Sequence, residues 1–247
     1  MKCTSIYFKQ LFTSNLISVT EIKDSFLHLL FPHVCAGCGS DLLNKESLVC
    51  IRCLSQLPET DFALHAANPV EKMFWGRMNL QSAAAAYYFS KESLIQQLVH
   101  EFKYKGNKEL GLQLGRLLGK YLALSDRFNV DALVPLPLYA DKERKRGYNQ
   151  ATILCDGVAE MLKVPVLKNT VIRPRHTETQ TKKGRLERWE NMEGKFVIKN
   201  EREIGDKHLL LVDDVITTGA TLEACGSELL KANNVKLSIA TLCIATH

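Results

Sequence analysis

The sequence predicts an α/β protein, built as a parallel sheet flanked by helices with a small cysteine-rich module in front of it. Two segments, 130–162 and 209–229, predict the sheet, because in each an apolar strand is followed by a polar loop and by helical periodicity. Four cysteines in two pairs predict the module. In order, the strands are expected near 130–134, 164–167, 208–213 and 235–244.

Length and composition are those of an ordinary globular protein. The chain has 247 residues, of which 46% are hydrophobic and 24% charged, with a formal net charge of +5. No apolar run approaches the ~18–20 residues that cross a bilayer, and Gln10, Ser14 and Asn15 interrupt any secretory signal. We therefore expect a cytoplasmic protein without a membrane span, whose cysteines are reduced or bound to metal.

Residues 209–221 read Leu-Leu-Leu-Val-Asp-Asp-Val-Ile-Thr-Thr-Gly-Ala-Thr and predict an anion site. Four apolar residues fit a buried strand, and Asp213 and Asp214 follow where that strand is expected to end. The loop N–H groups and the following helix N-terminus favour negative charge at one point. The residues predicted to bind the anion are Thr217, Thr218, Gly219, Ala220 and Thr221. The alternative is a buried strand with an acidic turn and a capped helix.

These thirteen residues resemble, position for position, the phosphoribosyl-pyrophosphate (PRPP) binding motif of type I phosphoribosyltransferases. In that family the two acids hold the ribose 2′- and 3′-hydroxyls and the loop holds the 5′-phosphate. The resemblance implies a type I phosphoribosyltransferase core, with Asp213 and Asp214 as catalytic residues at the ribose. It also implies magnesium bound together with PRPP.

A second anion site is expected after the strand at 130–137, which ends at Pro135. A basic loop, 141–146, leads into the next helix, and open parallel sheets bind ligands beyond the carboxyl ends of their strands. Arg144 and Arg146 are therefore assigned to the pyrophosphate of PRPP. The polar, basic stretch 171–196 is expected to be either disordered or a functional lid, and its charge is also consistent with a solvated basic face. Its candidates for closing over the ligand are Lys182 and Arg188.

Cys35, Cys38, Cys50 and Cys53 form the pattern C-x2-C-x11-C-x2-C. Each pair can place two thiolates on one tetrahedral ion, so the four predict a structural zinc site without an open position for chemistry. Two disulfides or free thiols are the alternative, which a reducing compartment disfavours.

The chain is expected to divide into four parts. Residues 1–30 are a leader with an amphipathic stretch, and 31–58 are the zinc-binding module. Residues 59–90 are a linker or cover that Phe74 and Trp75 dock onto the main unit. Residues 91–247 are the phosphoribosyltransferase-like domain.

Further motifs point to one family. They are Phe-Lys-Tyr-Lys-Gly at 102–106, Val-Pro-Leu-Pro at 134–137, Arg-x-Arg-Gly-Tyr-Asn-Gln at 144–150 and Arg-x-x-Asn-Met-x-Gly-x-Phe at 188–196. Together with the cysteines and the acidic motif, they resemble the ComF/GntX-like family from about residue 25 to the C-terminus. That resemblance implies a link to natural competence and DNA uptake.

Three functions follow as hypotheses. The first is an enzyme that transfers phosphoribosyl from PRPP with release of pyrophosphate, in DNA uptake or nucleotide salvage. The second is a PRPP sensor without turnover. The third is a single-stranded DNA-binding competence protein, in which Tyr104, Tyr148 or Trp189 stack on bases. Other competence or DNA-translocation proteins are possible partners, and no segment identifies the acceptor.

Overall fold

The computed structural model describes residues 33–41, 47–174 and 196–246. Its helices are α1 (Ile51–Ser55), α2 (Pro69–Lys72), α3 (Leu94–Tyr104), α4 (Lys108–Leu122), α5 (Ala140–Arg146), α6 (Gln150–Leu162) and α7 (Ala220–Leu229). Its strands are β1 (Ser82–Phe89), β2 (Ala132–Pro135), β3 (Val171–Ile172), β4 (Val197–Ile198), β5 (His208–Ile216) and β6 (Lys236–Ala245). The expected leader, Lys182, Arg188 and Trp189 lie outside the described residues. No helix within the described ranges is long and apolar enough to span a membrane.

The main sheet has the strand order β1-β6-β5-β2, and all neighbouring strands are parallel. The predicted parallel sheet is therefore confirmed. β3 and β4 form a separate antiparallel pair. The apolar core lies in and around the main sheet, and β5 and β6 carry its central, almost fully buried residues.

Two predicted strand boundaries were wrong. Of 164–167, only Val166 forms a bridge, to Leu133, because Pro165 has no N–H to donate to a ladder. β5 does not end at the acidic pair but continues to Ile216, since Val215 and Ile216 still pair with β6. Asp213 and Asp214 consequently lie inside β5, near its carboxyl end, and not in the loop that follows it.

The connections reverse direction between β5 and β2. From β2 the chain passes through α6 to Val166, away from β5, whereas from β5 it passes through α7 to β6. Because parallel crossovers are right-handed, α6 and α7 lie on opposite faces of the sheet. The carboxyl ends of β5 and β2 therefore border the topological switch point, where open α/β sheets form their ligand crevice.

α4 and α6 pack with their backbones in close contact on one face. A Cβ on Gly115 would lie 2.4 Å from the carbonyl oxygen of Leu154, and one on Gly157 would lie 2.4 Å from the carbonyl oxygen of Leu112. Only glycine fits at this crossing, which fixes the start of α6 relative to the sheet.

β1 lies inside the range 59–90 that the sequence suggested as a linker or cover. It pairs with β6 along its length, and its outer edge is closed by backbone hydrogen bonds from Thr60 N to Ala86 O and from Tyr88 N to Pro58 O, each 2.9 Å. Phe74 is buried against the main unit, but Trp75 is 61% exposed. The division of the chain into four parts stays a prediction, and the sheet itself begins at residue 82.

Candidate functional site

Asp213 and Asp214 are adjacent on β5, so their side chains point to opposite faces of the sheet. Asp214 is buried and accepts a hydrogen bond of 2.8 Å from Lys103 Nζ, at the end of α3. Lys103 was not among the predicted site residues, although it belongs to the motif at 102–106. Nothing local relates residue 103 to residue 214, because only the packing of α3 against the sheet brings them together.

Asp213 lines a small pocket of about 50 Å³ formed with the loop after β5. Burial, and then the neighbouring Asp214 carboxylate, raise the pKa of Asp213 to about 8, while Lys103 and Arg173 oppose the shift. At neutral pH this carboxyl group is largely protonated, although the two nearby cations favour its ionised form. The pocket therefore combines an acidic side chain with adjoining backbone donors.

The predicted anion loop has the conformation that an anion site requires. Gly219 has a φ of +74° and precedes the first residue of α7 without a side-chain cap. Thr217 and Thr218 are exposed beside the pocket. The first N–H groups of a helix have no intrahelical acceptors, so those of α7 point towards the pocket and favour negative charge there.

Two residues from the segment before β1 contact this loop. The sequence did not predict either contact with the loop. The Phe74 ring lies against Gly219, where an added Cβ would come within 3.0 Å of it. Arg77 Nη1 donates to Thr218 O at 3.3 Å, and the same guanidinium pairs with Glu223 on α7. The segment 74–77 thus fixes the loop from outside.

The predicted basic loop at 141–146 is a helix, α5. Lysine, arginine and glutamate are good helix formers, and Gly147, with a φ of +82°, ends the helix. Arg144 is exposed and paired with Asp141. Arg146 Nη1 donates to Gln150 Oε1 at 2.7 Å, and its guanidinium lies over the Tyr104 ring, 5.4 Å from the centroid.

Two other hydrogen-bond donors, near the connection from β2 to α6, are better candidates for ligand binding because they lack a hydrogen-bond acceptor. Among the side chains of the described ranges, two buried nitrogen atoms lack a partner, Gln150 Nε2 and Arg173 Nε. Gln150 is 2% exposed at the start of α6. The Arg173 guanidinium is stacked over Tyr139, 3.7 Å from the ring centroid, with Phe196 at 5.1 Å. Both donors adjoin the connection from β2 to α6.

The last turn of α3 joins the two anion regions. Three consecutive residues contact different parts of the site: the Phe102 carbonyl accepts from the Tyr148 hydroxyl, Lys103 pairs with Asp214, and Tyr104 lies under Arg146. Tyr148 is buried and follows α5 directly. The end of α3 therefore fixes the spacing between the acidic pair and the α5–α6 region.

The four cysteines converge as the spacing predicted. Their Sγ atoms all lie within 4.8 Å of one another, and those of Cys38 and Cys50 are 3.7 Å apart, close to the separation of two thiolates on one tetrahedral ion. Backbone N–H groups of Cys50 and Cys53 donate to Cys35 Sγ and Cys50 Sγ. The hydrogen bond with Ser40 lowers the pKa of Cys38 to about 6, whereas burial raises the pKa of Cys53. The cluster can hold a metal ion.

Comparison with known proteins gives consistent results. Residues 147–247 match the phosphoribosyl transferase domain family. Competence protein F of Haemophilus influenzae is 32% identical over 83% of this chain and 87% of its own length. DNA utilization protein YhgH of Salmonella typhi is 28% identical over 85% and 83%, and competence protein ComFC of Bacillus subtilis is 27% identical over 83% and 82%.

Among solved structures, a glutamine PRPP amidotransferase from B. subtilis, complexed with ADP and GMP, is 19% identical with a TM-score of 0.39. That match covers 57% of this chain and 30% of the other. The domain match and the parallel sheet confirm the expected type I phosphoribosyltransferase core. With the level of identity to competence protein F and the four-cysteine cluster, they establish that the chain belongs to the ComF/GntX-like family.

Proposed function

We propose that this protein binds PRPP with magnesium at the carboxyl ends of β5 and β2 and transfers its phosphoribosyl group with release of pyrophosphate. The observation that carries the proposal is the arrangement of Asp213, Asp214 and the Gly219 loop at the topological switch point. Such an arrangement has an acidic side chain for a sugar hydroxyl and backbone donors for a phosphate within one pocket, with the second acid adjacent on the same strand.

Each part of PRPP has a candidate partner. Asp213 and Asp214 would accept hydrogen bonds from the ribose hydroxyls, and the segment Thr217–Thr221 would bind the 5′-phosphate. Arg144 and Arg146 were assigned to the pyrophosphate by sequence, and each is engaged with a neighbour in the ligand-free protein. Arg173 and Gln150 join them as candidates, because their unpaired donors adjoin the same region.

Magnesium fits the donor set in the manner usual for that ion. It is bound in proteins by one or two carboxylates together with substrate phosphates rather than by a complete protein cage. Asp213 at the pocket wall would offer such a carboxylate once it is ionised, which a bound cation favours. When bound, magnesium would neutralise charge on the departing pyrophosphate, and Arg173 and Lys103 would add to the positive field.

At the cysteine cluster, we assign the metal as zinc. Four thiolates in tetrahedral reach suit that ion, and a closed four-sulfur site is structural. Zinc would hold residues 33–41 and 47–57 in the arrangement that packs against α3. Lys182 and Arg188 remain proposals for a closing lid.

The names of the relatives place them in competence and DNA utilization. We propose the same cellular role for this chain, in handling internalised DNA or salvaging its nucleotides, in the cytoplasm and with other competence proteins as partners. No residue identifies the acceptor of the phosphoribosyl group. The alternative function, a PRPP sensor without turnover, would use the same pocket.

Single-stranded DNA binding is a second candidate, favoured by exposed aromatic rings beside cations. Tyr104 is 63% exposed and lies between His100 and Arg146, and Trp75 has Lys72 Nζ 5.9 Å from its centroid. Bases stack on such rings while the cations meet phosphates. This candidate requires that Tyr104→Ala and rising salt both weaken binding of an oligonucleotide.

The test of the first proposal is calorimetric titration of PRPP into the zinc-loaded protein, with and without magnesium. We expect magnesium-dependent binding that Asp213→Asn with Asp214→Asn abolishes, while thermal unfolding shows that the double variant is folded. Asp61→Asn, an exposed acid remote from the site, is the matched control and keeps wild-type affinity. Absence of PRPP binding by the wild type rejects the proposal. If PRPP binds but no acceptor leads to release of pyrophosphate, the protein is a PRPP sensor without turnover.

A further inference from the structure

We infer that α3 is a positioning element through which the four-cysteine module sets Lys103 against Asp214, so that the module controls ligand affinity at a site to which it contributes no ligand-binding side chain. The inference rests on the proposed function for its ligand. Its structural part concerns two contacts at opposite ends of one helix, at Gln97 and at Lys103.

At the first end, the cysteine module sits on α3. Gln97 Nε2 donates to the carbonyl oxygens of Ala36 and Gly37, at 3.1 Å and 3.0 Å. These residues form the turn between Cys35 and Cys38. A Cβ on Gly37 would lie 2.7 Å from Leu94 Cδ1 and 3.0 Å from Cys53 Sγ, so the turn packs closely against both α3 and a sulfur atom of the cluster.

At the other end, α3 meets the ribose-binding acid. Lys103 Nζ lies 2.8 Å from Asp214 Oδ1, and the two side chains are 18% and 11% exposed. A pair removed from water to this extent loses much when one partner moves, because the remaining charge is left without compensation. Lys103 also opposes the rise in the pKa of Asp213, so its position affects both acids.

Between these ends, α3 is one continuous helix anchored in the core. Its eleven residues bury Ile95, Leu98, Val99 and Phe102, and Ser93 caps its N-terminus. Gln97 and Lys103 are six residues apart, about 9 Å along the axis at the helical rise of ~1.5 Å per residue. A shift imposed at the cysteine turn is therefore carried to Lys103 instead of being absorbed within the helix.

The module has a second contact that serves as a matched control. Leu48 N donates to Gln113 Oε1 at 3.0 Å, and Gln113 lies on α4. Gln97→Ala and Gln113→Ala each remove a glutamine that holds the same module, but only Gln97 is on the helix that carries Lys103. Both variants keep all four cysteines, and their zinc content is measured first.

The experiment is calorimetric titration of PRPP with magnesium into wild type, Gln97→Ala, Gln113→Ala, Lys103→Gln and the Gln97→Ala, Lys103→Gln double variant. We expect Gln97→Ala to weaken affinity by about fivefold or more, the lower range of coupling between sites, and Gln113→Ala to leave it unchanged. In the Lys103→Gln background, Gln97→Ala should have no further effect, because the path passes through Lys103. Equal affinities of Gln97→Ala and wild type, equal losses in both glutamine variants, or additive losses in the double variant each overturn the inference.

Hydrogen exchange separates this inference from the proposed function. In ligand-free protein, we expect faster exchange of the amides of residues 102–105 in Gln97→Ala than in Gln113→Ala or wild type. If wild type does not bind PRPP, the proposed function fails while this comparison still decides whether the module positions the end of α3. Equal exchange in all three proteins rejects the coupling.

Discussion

Gly219→Ala tests whether the anion loop depends on a close approach of its backbone to the Phe74 ring. Two costs follow from the structure. The φ of +74° is a left-handed conformation that costs a residue with a Cβ about 1–2 kcal/mol. The new methyl group would also come within 3.0 Å of Phe74 Cε1 and Cζ, and overpacking of this kind costs about 1–3 kcal/mol.

A second glycine separates the two costs. Gly106 has a φ of +73° and nothing within 4 Å of its added Cβ, so Gly106→Ala carries the conformational cost without the clash. The effect of alanine on the unfolded chain is the same in both variants. The free energy of unfolding of Gly219→Ala should therefore be lower than that of Gly106→Ala by about 1–3 kcal/mol.

The assay is urea unfolding of zinc-loaded protein followed by far-ultraviolet circular dichroism. With a denaturant slope of about 2 kcal/mol per molar, the expected difference separates the two midpoints by about 1 M. Phe74→Leu in the Gly219→Ala background should recover part of the loss, since the two side chains are in contact. Equal midpoints for the two glycine variants would refute the reasoning.

Three further predictions use other contacts. Cys35→Ser should lower the zinc content of the protein, measured by atomic absorption. Cys155 is a buried cysteine on α6 outside the cluster, so Cys155→Ala should keep the zinc content of wild type. An unchanged zinc content in Cys35→Ser contradicts the zinc assignment. Because the pKa of Asp213 is raised in the folded protein, its protonated form adds stability that is complete below about pH 4 and is lost as the pH rises through about 8. The melting temperature of Asp213→Asn minus that of ligand-free wild type should accordingly increase between pH 5 and pH 9. A difference that does not change with pH would exclude the raised pKa of Asp213. Tyr148→Phe leaves the Phe102 carbonyl without its hydroxyl donor and should lower the free energy of unfolding by about 1–3 kcal/mol, measured by urea unfolding; no loss means that this bond does not hold α3.

The sequence was sufficient where one local segment determines both structure and chemistry. The residues 209–229 predicted the order of strand, loop and helix correctly, because apolar runs, a glycine and helical spacing all occur within 21 residues, although the strand continues past the acids to Ile216. The cysteine spacing likewise predicted a cluster of four sulfur atoms, since two short turns suffice to bring them together. In both cases the pattern is complete within the segment.

The sequence was insufficient where contacts join distant segments or where propensity conflicts with packing. Lys103, Arg77 and Phe74 reach the site from other elements, and no spacing relates them to residues 214–219. The range 59–90 was expected to be a linker or cover, yet it contains β1, whose four alanines are all fully buried in the sheet although alanine is depleted in strands. At 141–146, the concentration of charge suggested a loop, whereas the same residues favour an exposed helix.

The hydrogen bonds that close the outer edge of β1 limit which fragments of this protein can be studied. Thr60 and Pro58 belong to the segment directly after the last cysteine of the cluster, so a fragment that begins beyond them would present the unpaired edge of an alanine-rich strand to solvent. Exposed edges of this type associate with other chains. A fragment that begins at β1 should therefore aggregate, so the segment that precedes β1 contributes to the solubility of the sheet.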